Sequence, residues 1–544
     1  MGTGTRTRGT SSAAVRSLAF AAAGLFVMAV VGATPRSPYQ PTLTPNGRPR
    51  GPLRQLATAL HLDVVHGDPQ LAIGVVVALL ATAGFLVLLR EAFRGTIRLA
   101  AAAVLVIGAH ALLLFEPLLF SNDVYSYAYY GRIAAIYGGN PYVQTPLDHT
   151  GDLLWNYVGP RWVDTPAVYG PAWTSLSAVL SRFLPLPADH VDAYRYLAIA
   201  ASLATCGVIV WTVRRLWPER TVFALVAFGA NPVILFHSVA SGHNDLLVAL
   251  AIAGAFALVA ADHRLLAIAV LTLGALVKAT AVLPLLLLLV WCIGSVPRER
   301  RIRTALAAIG VPAAITVVLS FPYFQLHDPT LGMLELAGHE GWLAPASVLA
   351  RGFDALTFHT LGWVVRVAAA VLLFACLAML ARAVWRRAAG GEMTPREQAA
   401  AWGWALVLLT LLGPVLLPWY VVWAMPLVWV LPKVPRTALI ATGALLGVTL
   451  WSAEAYRYPG GFALNVAIGD WLVVPLLIVF VIAVISDLRS RIAFGWPFED
   501  EPRGGAPASA PEQPGDEQRV ADAAREHARE GGGRPALEVG SDPL

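Results

Sequence analysis

The sequence predicts an all-α integral membrane protein of many crossings, and three observations predict it. Of 544 residues, 57% are hydrophobic and only 13% charged, against about a quarter charged in an average soluble domain; the mean hydropathy is +0.63. Apolar runs recur from 15 to 485, many close to the roughly 20 residues that cross a hydrocarbon core of about 30 Å as a helix. The 17 Trp and 15 Tyr often flank these runs, where amphipathic rings favour the membrane interface. An unclosed sheet would leave backbone groups unpaired in lipid, so helices are the spanning element.

The first run, 15–32, follows Arg6 and Arg8. It is longer than the roughly 7 to 15 residues of a signal-peptide core and reads as a retained span behind a disordered cytoplasmic stretch, 1–14. Positive residues concentrate in cytoplasmic loops, so the arginine clusters at 6–16, 90–98, 214–220, 298–303, 382–396, 433–436 and 489–491 fold the path of the chain. With all of them inside, an even number of crossings separates neighbours. Runs 16–33 and 70–90 form the first pair, and 98–118 with 193–213 the second.

Four crossings are then needed, at 221–238, 244–261, 264–278 and 279–293. One helix over 265–292 would be roughly 42 Å long and would leave the next arginines outside. That run is therefore expected to be a hairpin of two short helices breaking near Lys278 and Thr280. The pairs 304–322 with 360–381, 399–417 with 419–432, and 437–453 with 471–486 complete the path. The count is about 14 crossings with both termini cytoplasmic.

The tail, 499–544, is rich in Gly, Pro, Ala and charge and is expected to be disordered in the cytoplasm apart from a short helix around 517–530. Cys206, Cys292 and Cys376 lie inside apolar runs at spacings that fit neither a zinc site nor a disulfide framework. The net charge of +5 comes from loop arginines that set topology, so no nucleic-acid face is expected.

This path leaves 34–69, 119–192, 238–243, 323–359, the stretch around 418–420, and 454–470 outside. The longest, 119–192, holds two expected interfacial amphipathic helices, 124–137 and 171–183. Asp123 closes an apolar segment at its start; the carboxylate is either an N-cap for the following helix or a general base for an alcohol acceptor. His243, Asn244 and Asp245 stand together at a membrane mouth, where they either cap the next helix or bind acceptor hydroxyls and hold the base in place. Lys278, lone in its apolar run, is either a phosphate contact in an aqueous cavity or half of a structural ion pair. Arg351 and Arg457 are weaker candidates for the same anion. Tyr420 and Trp342 either line a sugar or lipid groove or belong to the interfacial belt. Asp148, Asp164 and His237 share the outer face and are not individually informative.

No Gly-rich dinucleotide fingerprint, P-loop or soluble segment large enough for a nucleotide-sugar fold is present. A donor carrying its phosphate on a polyprenyl tail needs none of these, since it arrives through the bilayer. A transporter or lipid-sugar flippase is the alternative outside the enzyme class, but no duplicated segment of the kind such folds use is visible.

Asn122-Asp123-Val124-Tyr125-Ser126-Tyr127, with Gly131 and Gly139-Asn140-Pro141-Tyr142, then Tyr169-Gly170-Pro171, then Gly242-His243-Asn244-Asp245, resembles the GT-C superfamily of membrane glycosyltransferases. More narrowly it resembles the polyprenyl-phosphate-mannose-dependent α-1,6-mannosyltransferases of lipomannan assembly, over about residues 15 to 490. The resemblance implies a GT-C type bundle whose active site faces outward. It further implies an inverting transfer of mannose from polyprenyl phosphate to a lipid-anchored glycan, with Asp123 as base. Lys278 and Arg457 would then meet the donor phosphate, while His243, Asn244, Asp245, Tyr127, Tyr169 and Tyr420 meet sugar or acceptor. The same motifs fit arabinose or glucose donors. Many relatives carry two adjacent acidic residues where Asn122 precedes Asp123 here, so neither a bridging metal nor another cofactor is expected.

Overall fold

The computed structural model describes residues 12–41, 51–160, 162–324, 343–357, 361–449, 458–493 and 495. Trp342, Arg457, most of the N-terminal stretch and the tail 499–544 lie outside the described residues. Among the described residues every regular element is helical.

Helices α1 (Ser12–Ala33), α2 (Pro52–Ala59), α3 (Asp68–Phe93), α4 (Leu99–Leu113), α5 (Asp123–Ala135), α6 (Pro171–Phe183) and α7 (Pro187–Leu216) make up the first part. The middle holds α8 (Thr221–Gly229), a π-helical stretch Val233–Val239, α9 (Asp245–Ala260), α10 (Arg264–Ala275) and α11 (Val282–Gly294). The last part holds α12 (Arg301–Ser320), α13 (Pro345–Leu356), α14 (Gly362–Ala389), α15 (Pro395–Leu412), α16 (Lys433–Thr449), α17 (Pro459–Ile468) and α18 (Val474–Ala493). Six stretches among the described residues are long and apolar enough to cross a membrane: Ser12–Ala33, Asp68–Phe93, Pro187–Leu216, Arg298–Tyr323, Gly362–Ala389 and Pro459–Ala493. This is a helical membrane protein.

Of the other expected crossings, 98–118, 244–261, 264–278 and 279–293 fall on the shorter apolar helical stretches Leu99–Leu113, Asp245–Ala260, Arg264–Ala275 and Ala279–Gly294. The expected 221–238 helix bends by 45° between Gly229 and Val233, where Pro232 has no N–H to give the ladder. The expected 419–432 helix is not α-helical. Pro418–Trp423 and Met425–Leu427 are 3-10 turns, because Pro418, Pro426 and Pro432 interrupt α hydrogen bonding within one short run. All of these turn residues are buried, the condition under which irregular backbone is tolerated at membrane depth.

The hairpin expected around Lys278 is present. α10 stops at Ala275, Lys278 is extended, and a 3-10 turn Ala279–Ala281 leads into α11. Arg264 Nη1, at the start of α10, donates to Ser295 Oγ just beyond the end of α11 at 3.2 Å. The two helices therefore run antiparallel, with the break at their far end.

Arginine clusters that are distant in sequence meet at one end of the bundle. Phe93 is flanked by Arg220, 3.8 Å from its ring centroid, and Arg436 at 5.1 Å. Arg396 stands 4.2 Å over Trp217 and Arg301 5.1 Å over Trp385. These contacts bury the long stems while leaving the charges near the surface.

Candidate active site

The polar residues singled out in the sequence lie at the other end of α9. At 1.5 Å per residue, α9 carries Asp245 about 24 Å from the Arg264 end. Four separate stretches converge there: the start of α5, the turn before α6, the loop before α9, and the α10–α11 break. The Pro418–Trp423 turn closes them from behind.

Asp123 is the first residue of α5, with Asn122 at the capping position and no side-chain cap bond from it. Asn122 rather than Asp123 therefore stands at the capping position, and a carboxylate in the first turn suits the helix dipole. The Asp123 backbone N–H donates to Ser121 Oγ at 3.1 Å, and its side chain keeps 24% exposure. Burial pushes the carboxyl up to about 6; Lys278 and the Ser121 hydrogen bond counter this, and Asp245 adds to it. The result is a carboxylate ionised at neutral pH and more basic than an ordinary one.

His243 Nδ1 stands 3.5 Å from Asp123 Oδ2 and 3.3 Å from the Tyr127 hydroxyl. Its ring lies flat on Trp419, centroids 4.0 Å apart. Burial first, and then the Lys278 charge, hold the imidazole well below its ordinary value, so it is neutral. The loop reaches this position through Gly242, whose φ of +66° puts it in the left-handed region and whose hypothetical Cβ would stand 2.8 Å from Val124 Cγ1; only glycine suits both demands.

Asp245 is fully buried. Its Oδ1 accepts from Lys278 Nζ at 2.8 Å and from Trp423 Nε1 at 2.6 Å. Lys278 thus lies beside a carboxylate rather than alone in an aqueous cavity, and the ion-pair alternative is realised, with 12% of the side chain still exposed. Its ammonium also faces Tyr420 at 4.7 Å and Trp423 at 5.3 Å from the ring centroids. Asn244 is buried, makes no cap bond, and both atoms of its side-chain amide lack a hydrogen-bond partner among the described residues.

The Tyr169-Gly170-Pro171 turn explains how Lys278 is placed. Gly170 N–H donates to the Val277 carbonyl at 3.1 Å and Ala172 N–H to the Leu276 carbonyl at 3.0 Å. A Cβ at Gly170 would overlap the Leu276 carbonyl oxygen. The start of α6 therefore satisfies the carbonyls freed by the helix break. Tyr169 packs edge-on to Tyr127, centroids 4.8 Å apart.

The expected interfacial helices differ from each other. Val124 to Gly131 of α5 are all buried, so α5 is an internal helix, because its tyrosines pack against α6 and α7; α6 keeps an exposed apolar edge at Val179 and Phe183. Outside the cluster, Arg351 pairs with Asp470 at 3.4 Å, Asp148 accepts from Thr145 N–H at 2.7 Å, Asp164 is exposed, and His237 stacks on Phe120. Trp419 and Trp423 were not singled out as site residues, although their four-residue spacing in a proline-interrupted run was the available signal.

Residues 17–294, just over half of the chain, match the family model described as alpha-(1->6)-mannopyranosyltransferase, N-terminal domain. Over 422 residues the chain is 27% identical to alpha-(1->6)-mannopyranosyltransferase A of Mycobacterium tuberculosis, covering 73% of this chain and 77% of that one. A probable alpha-(1->6)-mannopyranosyltransferase of Mycolicibacterium smegmatis is 34% identical over 156 residues, 27% of each chain. The Corynebacterium glutamicum alpha-(1->6)-mannopyranosyltransferase A is 29% identical over 147 residues, 26% of this chain and 29% of that one. No solved structure matches the chain.

Proposed function

The chain belongs to the alpha-(1->6)-mannopyranosyltransferase family, and from that premise we propose that it moves mannose from polyprenyl-phosphate-mannose to a lipid-linked mannan or glycan acceptor. The catalytic domain is 15–490, a GT-C type bundle of about 14 crossings with both termini cytoplasmic and the site on the extracytoplasmic face. The gathering of arginines at the opposite end of the bundle supports that orientation.

One observation carries the chemistry: a raised, partly exposed carboxylate and an ammonium that is paired with Asp245 but keeps part of its surface exposed are brought to one place by separate elements. In the proposed step the acceptor oxygen attacks the anomeric carbon opposite the phosphate, and the bond from that carbon to the phosphate oxygen breaks. The electron pair leaves with polyprenyl phosphate, and the hydroxyl proton passes to Asp123. A β-linked donor gives an α-linked product. Lys278, with Arg457 as second candidate, offsets the charge that grows on the leaving phosphate. His243 orients Asp123, while Asn244, Tyr127, Tyr169 and Tyr420 line the sugar and acceptor space. Asp245 holds Lys278.

The test is transfer by purified protein from radiolabelled polyprenyl-phosphate-mannose to a short α-1,6-mannoside, beside the arabinose and glucose donors and a nucleotide-linked mannose. Extension of the mannoside from the polyprenyl mannose donor alone is expected. Labelling from the nucleotide donor, or from another polyprenyl sugar in preference, would overturn the reading, and donor movement across vesicles without any product would point to a flippase.

A further inference from the structure

Pro418–Trp423 is a 3-10 turn, and 3-10 geometry eclipses side chains three residues apart. Tyr420 and Trp423 accordingly stack, with ring centroids 4.1 Å apart and planes at 29°. Trp423 is 3% exposed, so its indole N–H requires an internal acceptor. That acceptor is Asp245 Oδ1, at 2.6 Å, the same oxygen that accepts from Lys278 Nζ at 2.8 Å. The other oxygen, Oδ2, is buried and has no hydrogen-bond partner among the described residues.

We propose that Trp423 is a positioning residue for donor binding, which acts by fixing the Lys278 ammonium through Asp245. This rests on the reading of Lys278 as the phosphate contact. An ammonium has three protons; one goes to Asp245, and the two aromatic faces favour the cation without consuming a proton in a strong hydrogen bond. The indole N–H occupies one acceptor direction of Oδ1, so the carboxylate stays where it is and Lys278 approaches it from one side only. The remaining ammonium protons then stay directed away from Asp245, available to an arriving phosphate. Without the N–H, Asp245 is free to turn and draw Lys278 into a closer, two-oxygen pair that competes with the donor.

Trp423→Phe keeps a stacked ring and removes the N–H. The donor KM is expected to rise about 10- to 150-fold, the range for losing a hydrogen bond to a charged group, while the acceptor KM stays within about twofold. In a Lys278→Met background, adding Trp423→Phe should cause no further loss, since the effect passes through Lys278. Should the Phe variant fold poorly, benzothienylalanine at 423 keeps the two-ring shape, lacks the N–H and is expected to give the same donor effect. A weakened Lys278→Met enzyme beside normal donor KM in either 423 variant would overturn this inference alone. A normal Lys278→Met enzyme would overturn the phosphate reading itself. Equal losses for donor and acceptor, or further loss in the Lys278→Met background, would make Trp423 merely structural.

Discussion

Asp123 Oδ2 stands 3.5 Å from His243 Nδ1, and the imidazole is clamped flat against Trp419. The contact is longer than the roughly 2.7 to 2.9 Å of a strong charge-assisted hydrogen bond. A neutral His243 does not pull Asp123 toward the ordinary carboxylate range in the way an imidazolium would. It fixes the direction of the carboxylate while burial sets its basicity.

The first consequence is a pH profile. The base must be ionised, and burial pushes the Asp123 carboxyl up to about 6. kcat/KM is therefore expected to be level above about pH 7 and to fall tenfold per unit below about pH 6. Because the Lys278 charge lowers the Asp123 value, Lys278→Met should move the inflection upward. An inflection near 4, where an unperturbed carboxyl titrates, would sink Asp123 as a raised base.

Lys278→Met should harm donor use more than acceptor use, read as separate KM and kcat values. It also strands Asp245 in a buried site, which costs about 3 to 5 kcal/mol when one partner of a buried pair is removed and should appear as a lower thermal midpoint. Lys278→Met with Asp245→Asn should recover much of the midpoint but not the donor use. Recovery of both would leave Lys278 a structural ion pair.

The break at Lys278 was legible because a lone cation in an apolar run is expensive unless the helix is interrupted, and Asp123 because it opens a helix after an apolar run. The partnership of Lys278 with Asp245 was not, since it joins positions 33 residues apart that no local period relates. The 419–432 stretch misled for a different reason: an apolar run carries no polar positions from which to read a period. Its three prolines were the true signal. α5 read as interfacial because its tyrosines are amphipathic, and only packing against α6 and α7 shows them buried.

Gly170→Ala tests the seat of the break. The added Cβ meets backbone, the Leu276 carbonyl oxygen, so relief requires α6 or the break to shift. A loss of about 1 to 3 kcal/mol in stability is expected, with a donor KM increase accompanying it. Wild-type stability and kinetics would mean that the Gly170 contact does not set the position of Lys278.

Topology can be read with single cysteines after replacing the buried Cys206, Cys292 and Cys376. Asn122 and Gly242 lie too deep in the site to be good reporters, whereas Thr150 is exposed on the outer loop. Thr150→Cys should react with an impermeant thiol reagent in intact cells, while Arg300→Cys and Arg386→Cys, both at exposed positions, should react only after permeabilisation. Outside labelling of either arginine position would overturn the path of about 14 crossings, and the placement of the site with it.

Asp123→Asn separates chemistry from architecture. Asn retains the size of the side chain and supports a helix start about as well as Asp. The Asp123 side chain makes no hydrogen bond in the structure that an amide could not replace, its backbone N–H to Ser121 Oγ being unaffected. Removing a partly exposed carboxylate whose pKa is already raised should not destabilise the fold. Loss of the base, by contrast, is expected to lower kcat by roughly 10² to 10⁴, with the donor KM little changed because Lys278 and Asp245 remain. Turnover within about threefold of wild type would remove Asp123 from the chemistry. Asp245 would be a poor replacement, because Oδ1 is committed to Lys278 and Trp423, and the search for the base would move to the other carboxylates of the outer loop.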